Sequence, residues 1–271
     1  MHGAHIETFQ QTVLDYYREH GRHDLPWRLP EADGSFDPYK IVVSEIMLQQ
    51  TQVQRVSPKF LDFTAHYPTF VALAAAPLGD VLKTWSGLGY NRRAKFLWQA
   101  ARIVADDYRG ELPSTASELV KLPGIGINTA GAVQAYAFNK PVVFIETNIR
   151  TVFIHHFFSG RQAVHDREIS DLAAAALPDN ARQWYWALMD YGTHLKQTVG
   201  NLSRSSAHYT KQSSFIGSKR QVRGAVLKLL GQKTATAQEL ARHIPDARLP
   251  DVLEELTQEH LITEHANYYT L

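Results

Sequence analysis

From His5 to Val199, apolar residues recur at helical spacing in one stretch after another, and no part of this region alternates as a strand-rich domain would. That periodicity is the tightest constraint on the chain, because such stripes can be buried only against other helices. The spacing predicts helices over 5–20, 40–63 (bent near Pro58), 68–76, 78–85 and 91–107. It continues with 114–121, with Ser114 as N-cap, then 127–138, 145–158, 165–177 and 180–199. The segment GRHDLPWRLPEADGSFDPY, between the first two, is too rich in Gly and Pro for regular structure. The expected fold class is all-α.

Residues 200–218 are rich in Ser and Gly and read as a linker or long loop. Beyond it, 221–230, 236–244 and 249–259 read as three short helices, and LITEHANYYTL as a hairpin around Ala266–Asn267. Three helices and a terminal hairpin resemble a winged helix, a motif that binds DNA or docks proteins. The expected boundaries are 1–199, a basic linker at 200–220, and 221–271.

The formal charge is only +1, but its distribution is uneven. Tyr191 to Gln238 contains no Asp or Glu and carries Lys196, Arg204, Lys211, Lys219, Arg220, Arg223, Lys228 and Lys233. Such a segment suits a polyanion, or is a solvated basic loop. Cysteine is absent, which excludes disulfides, thiolate zinc sites, cysteine nucleophiles and cysteine-ligated iron–sulfur clusters. The 13 histidines form no HExxH pair or other metal-ligand spacing. No apolar run is long enough for a membrane span, and MHGAHIETFQ has no signal-like charge and apolar pattern, so an intracellular, nucleoid-associated location is expected.

LPGIGINTAGAV, Leu122 to Val133, places a glycine turn between two helical stretches. A dinucleotide loop would need a preceding strand, and none is present. Helix, turn, helix instead resembles a helix-hairpin-helix. Its glycines admit close backbone approach, and the second helix offers N–H groups that bind phosphate without reading sequence. A plain helix–helix connection is the alternative. Twenty residues beyond Gly126, Glu146 stands in the apolar run FIETNIR. Glu45 likewise sits among Val42, Val43, Ile46 and Leu48, where burial would raise its pKa.

DPYKIVVSEIMLQQTQVQRVSPKFLDF, WSGLGYNRRAKFLWQAARIVADDYRGELP and LPGIGINTAGAV together resemble the helix-hairpin-helix DNA glycosylases, most of all the MutY-type adenine glycosylases, over roughly residues 5–195. The resemblance implies a two-lobed helical fold with a cleft between the lobes. It also implies excision of a flipped, mismatched or damaged base from double-stranded DNA, by a monomer acting in base-excision repair. Glu45 matches the glutamate that protonates the base and handles water. Glu146 stands where the family has an aspartate that stabilises the sugar cation, one methylene longer, and Asn148 matches a supporting asparagine. Without the resemblance, Glu146 reads as an acid capping the helix that starts near Thr147. Trp27, Arg28, Leu48 and Trp186 fall at the base pocket. Gln50 and Tyr90 match residues that enter the duplex. Leu122, Gly124, Gly126, Thr129, Lys196, Arg204, Lys219 and Arg220 complete the expected DNA contacts.

The departures are informative. Asn128 replaces the lysine that gives strand-cutting relatives their Schiff base, so a monofunctional enzyme is expected. Adenine glycosylases place Ser or Tyr there. Trp186 stands where they carry Gln or Glu against the purine, and Asn91 where many carry a second tyrosine. The four cluster cysteines and the 8-oxoguanine-reading domain have no counterpart. No cofactor is expected beyond a monovalent cation of the kind the family's hairpin can hold. Adenine leads as the excised base, with uracil, thymine or a damaged base as alternatives. A lesion-binding protein without catalysis is the competing class.

Overall fold

Apolar stripes close into helices largely where the spacing places them. The computed structural model describes residues 2–211 and 214–271. In chain order the helices are α1 (His2–His20), α2 (Pro38–Leu48), α3 (Val53–His66), α4 (Phe70–Ala75), α5 (Leu78–Trp85), α6 (Arg92–Asp107) and α7 (Ala116–Leu119). They continue as α8 (Ile127–Phe138), α9 (Thr147–Phe157), α10 (Asp166–Ala175), α11 (Ala181–Thr198), α12 (Lys219–Leu230), α13 (Ala237–His243) and α14 (Leu249–Gln258). Strands β1 (Ala235–Thr236), β2 (Thr263–His265) and β3 (Tyr268–Thr270) form an antiparallel sheet in the order β1-β3-β2. Among the described residues, no helix is long and apolar enough to cross a membrane.

The chain divides into two units. One comprises Met1–Glu45, Ser114–Val120 and Ile125–Lys211. Its core is built where α11 packs on α9, α1 and α8. Phe9 of α1 contacts the rings of Phe153, Phe157 and Trp184 at centroid distances of 5.2, 5.0 and 5.6 Å. The other unit comprises Ile46–Pro113, Lys121–Gly124 and Gln212–Leu271. There α4 and α5 pack on α6, and Phe60, Phe63, Trp85 and Leu97 are buried. The same unit holds α12–α14 and the sheet. It is tied together by a bond from Lys95 Nζ to the Glu259 carbonyl and by the Arg223–Glu259 ion pair. Ala266 and Asn267 both have positive φ (49° and 66°), which the tight turn joining β2 to β3 requires.

Four expectations are corrected. The helix drawn over 40–63 is two, α2 and α3, with Gln50 between them at φ 55°. Pro58 lies inside α3 and is not the break. The cause is Arg93, which donates to the carbonyls of Ile46, Met47 and Gln49 at 2.9, 2.8 and 2.5 Å and so satisfies the end of α2 from outside the helix. Ser114 is not a cap: α7 starts after Thr115, and the Ser114 carbonyl accepts from Gln134 Nε2 (3.0 Å) and Lys140 Nζ (2.6 Å). Residues 200–218 are not all loop, since Leu202–Ser205 forms a 3-10 turn, Ser206 bridges to Val164, and Ser203 and Ser206 are buried. Strand β1 was not expected; two residues carry no readable period.

Candidate active site

Glu45 is carried by α2 amid Ile41, Val42, Val43, Ile46 and Met47, all of them buried. Its own side chain keeps a partly accessible edge while protein surrounds the rest. That desolvation pushes its pKa up to about 8, with the negative charge of Glu146 adding to the rise and Arg28 opposing it. At neutral pH Glu45 is therefore a neutral acid.

Glu146 is the N-cap of α9. Its Oε1 accepts from the amides of Asn148 (2.6 Å) and Ile149 (3.2 Å). Burial raises its pKa, whereas Lys196, the two amides and Arg150 pull it down. Both carboxyls are raised by burial, but at 146 a cation and two amides oppose the rise, whereas at 45 the neighbouring carboxylate adds to it.

Asn148 is held from three positions of α11. Its Nδ2 donates to Met189 Sδ (3.8 Å), and its Oδ1 accepts from Lys196 Nζ (2.5 Å). Between these, Gly192 lets the helices close, since a Cβ there would lie 2.6 Å from the Asn148 carbonyl oxygen. Residues 189, 192 and 196 lie on one helical stripe. Lys196 is expected to grip phosphate; in the structure its amine bonds Asn148, and it is the largest of the influences that lower the pKa of Glu146 against its burial. Lys196→Met should lower single-turnover excision about tenfold, by loss of one charge-assisted contact. It should also move the acid limb of the pH profile to higher pH, because Glu146 would then ionise later. An unmoved acid limb would remove Lys196 from the site.

Arg28 follows Trp27 in a 3-10 turn, Pro26–Arg28, and both side chains are buried. Arg28 bonds Asp190 at 2.8 and 3.0 Å, and Arg22 bonds the same carboxylate through its Nε at 2.8 Å. Burial alone would raise the pKa of Asp190, but the bonds from Arg28 and the charges of Arg28 and Arg22 bring it below the ordinary value. Trp186 is buried, with the Arg28 guanidinium 5.5 Å from its ring and Tyr136 stacked 6.0 Å away at 13°. Tyr136, not anticipated from sequence, is buried and feels both glutamates, and its hydroxyl stays protonated. Asp190→Ala should cost roughly 3–5 kcal/mol in urea unfolding, because it leaves Arg28 buried without its carboxylate. The loss should shrink as the pH falls through the depressed Asp190 value, where the wild-type clamp also fails.

The hairpin glycines differ in role. Gly124 has φ +81°, and a Cβ there would stand 3.0 Å from Phe96, so the turn requires glycine. Its carbonyl accepts from Gln49 Nε2 at 3.3 Å. Gly126 is the N-cap of α8, closes that end with no side chain, and faces open space. Asn128 is exposed and Thr129 half-buried in the first turn of α8, whereas the Leu122 side chain is buried, so only its backbone can meet a ligand. Leu48 is half-buried at the end of α2. Arg204 is exposed, and Lys219 pairs with Glu255. Arg220 contacts Tyr90, which like Gln50 has positive φ (47°).

The model for the HhH-GPD superfamily of base excision DNA repair proteins matches residues 43–176. An adenine DNA glycosylase of Mycolicibacterium smegmatis is 35% identical over 239 residues, covering 82% of this chain and 80% of that protein. Adenine DNA glycosylase of Mycobacterium tuberculosis is 32% identical and covers 92% and 88%. Against that of Buchnera aphidicola the identity is 40% over 55% of this chain, and the match spans only 41% of the relative's length. Among solved structures, a thermostable thymine-DNA glycosylase superposes with a TM-score of 0.60 at 27% identity over 70% of this chain and 86% of that one. Endonuclease III trapped on DNA shares the fold, with a TM-score of 0.55 at 19% identity over 70% and 85%.

Proposed function

The chain belongs to the HhH-GPD superfamily of base excision DNA repair proteins, and from that membership we propose that it is a monofunctional DNA N-glycosylase acting on a flipped base in double-stranded DNA. The observation that carries this reading is a pair of glutamates in unlike settings: burial pushes the pKa of Glu45 up to about 8, whereas at Glu146 the rise from burial is opposed by Lys196 and by the amides of Asn148 and Ile149. Glu45 gives its proton to the departing base as the bond from C1′ to nitrogen breaks, and the bonding electrons leave with the base. Positive charge then spreads over C1′ and the ring oxygen, where the Glu146 carboxylate stabilises it. Water adds to C1′ and returns a proton to Glu45. Asn148, Gly192 and Lys196 keep the carboxylate in place. The hairpin before α8 and the exposed cations, Arg204 among them, take DNA phosphates. The protein acts as a monomer.

Adenine is the first choice of base, supported by the names of the relatives that match most of this chain. A different base is favoured by one feature. Trp186, packed against Arg28 and Tyr136, has no oxygen to accept from an amino group. Single-turnover excision over duplexes carrying mismatched adenine, uracil, thymine and alkylated bases tests both. Release of one base that vanishes in Glu45→Gln supports the enzyme. Tight, salt-sensitive binding with no release from any duplex would replace it with a lesion-binding protein.

Asn128 has no amine, and the Lys196 amine is bonded to Asn148 Oδ1. Borohydride should therefore fail to trap the protein on abasic DNA. Efficient trapping would contradict the monofunctional reading, and its loss in Lys196→Met would name the nucleophile.

A further inference from the structure

Tyr90 lies against two guanidinium groups. Arg93 stands 5.5 Å from the ring centroid and Arg220 5.2 Å, and Arg220 Nη1 also donates to the Tyr90 hydroxyl. The backbone beneath the ring is equally constrained. Arg93 Nη2 donates to the carbonyls of Leu88 (3.2 Å) and Gly89 (3.0 Å), while its Nη1 holds the Gln49 carbonyl. One buried arginine therefore fixes the residues immediately before Gln50 and Tyr90, two non-glycine residues with positive φ.

Arg220 comes from far along the chain, in the first turn of α12. The neighbours that carry it are anchored: Lys219 pairs with Glu255, and Arg223 with Glu255 and Glu259 on α14 and just beyond it. Helix α12 is thereby braced within its own module while Arg220 reaches out to the ring. A guanidinium suits this position, because its plane stacks on an aromatic face while its fork bonds the hydroxyl; an ammonium cannot do both.

We propose that Arg220 is a positioning residue for Tyr90, so that the winged-helix-like module belongs to the base-flipping apparatus instead of serving as a separate docking unit. The inference rests on the reading above in which Gln50 and Tyr90 enter the duplex. With the ring already oriented in the free protein, less freedom is lost when it inserts. Removing Arg220 takes from Tyr90 the bond to its hydroxyl and one of the two guanidinium groups at its ring.

Base flipping is read directly from 2-aminopurine placed beside the target base, in the full chain carrying Glu45→Gln so that the duplex stays intact. Arg220→Ala should slow the fluorescence rise about tenfold, the worth of one stacked, charge-assisted contact. Arg220→Lys should remain slow, and Tyr90→Phe combined with Arg220→Ala should be no slower than the worse single variant. Affinity for undamaged duplex and its salt dependence should stay near those of the parent, whereas loss of a simple phosphate contact would weaken all duplexes and reduce the salt slope by about one. Parental flipping in Arg220→Ala, full recovery in Arg220→Lys, or losses that multiply in the double variant would overturn the proposal. Absence of any fluorescence response in the parent on every duplex would instead overturn the base-flipping reading, and this inference with it.

Discussion

Glu45→Gln is expected to lower the single-turnover excision rate by about 10³- to 10⁴-fold, the upper part of the range for general acid catalysis, while leaving duplex affinity near the wild-type value. The amide keeps the shape of the side chain and removes only the transferable proton. It also removes the group that takes a proton from water, so both halves of the reaction suffer. A variant that keeps a tenth of the activity would transfer the acid role elsewhere. The wild-type pH profile provides an independent check. Glu45 must be protonated, so activity should fall as the pH rises through about 8. Glu146 must be ionised, and burial places its titration above the ordinary carboxylate range, so activity should also fall on the acid side. The bell should lose its alkaline limb if another group donates the proton.

The same burial has a thermodynamic cost of known sign. Unfolded, Glu45 titrates at the ordinary glutamate value of 4.5; folded, at about 8. Between these the folded state binds the extra proton, so stability falls as the pH rises across that window. Glu45→Gln abolishes the titration. It should therefore be more stable than wild type at pH 8, by as much as a few kcal/mol, and nearly equal to it at pH 4. Loss of activity with gain of stability marks an acid held in an unfavourable place for chemistry; a destabilised Glu45→Gln would mark a structural residue.

The parts of the site legible in sequence are those that local chemistry dictates. Helix α8 spans the same residues that its periodicity predicts, Ile127–Phe138, and the turn before it needs glycine at 124 for φ alone. Glu45 is exposed to view by the apolar residues on either side. What was hidden depends on distant partners. The break after α2 is made by Arg93, 44 residues from the Gln49 carbonyl it binds. Asp190 in WYWALMDYG reads as one acid in an apolar helix; its charge is balanced by Arg22 and Arg28, 168 and 162 residues away. Lys196 looked like the first cation of a basic run, yet its position on a stripe with Met189 and Gly192 turns it toward Asn148. That stripe was readable, though the face it meets was not.

Glu146→Gln should reduce excision by about 10²- to 10³-fold, as expected for removing a preorganised charge from a developing cation, with little change in stability. The pairing of outcomes matters because Glu146 has two jobs. Its Oε1 caps α9 through the amides of Asn148 and Ile149, and in the proposed mechanism its charge serves the sugar. A glutamine oxygen still accepts from those amides, so the substitution isolates the charge; Glu146→Ala removes both and should cost a further ~1 kcal/mol of stability as a lost cap. Glu146→Asp decides how the extra methylene is accommodated. In the structure the longer side chain folds back onto its own helix, which draws the carboxylate toward the amides that an aspartate would reach directly. Aspartate is a good N-cap. Glu146→Asp should thus keep the cap and retain activity within about tenfold, since the charge moves by less than the ~1.5 Å of one carbon–carbon bond. If Glu146→Asp were as inactive as Glu146→Gln, placement of the carboxylate would matter more than its charge, and the site would be built for glutamate. If Glu146→Gln kept full activity, residue 146 would be a helix cap alone, and the sugar cation would need another anion.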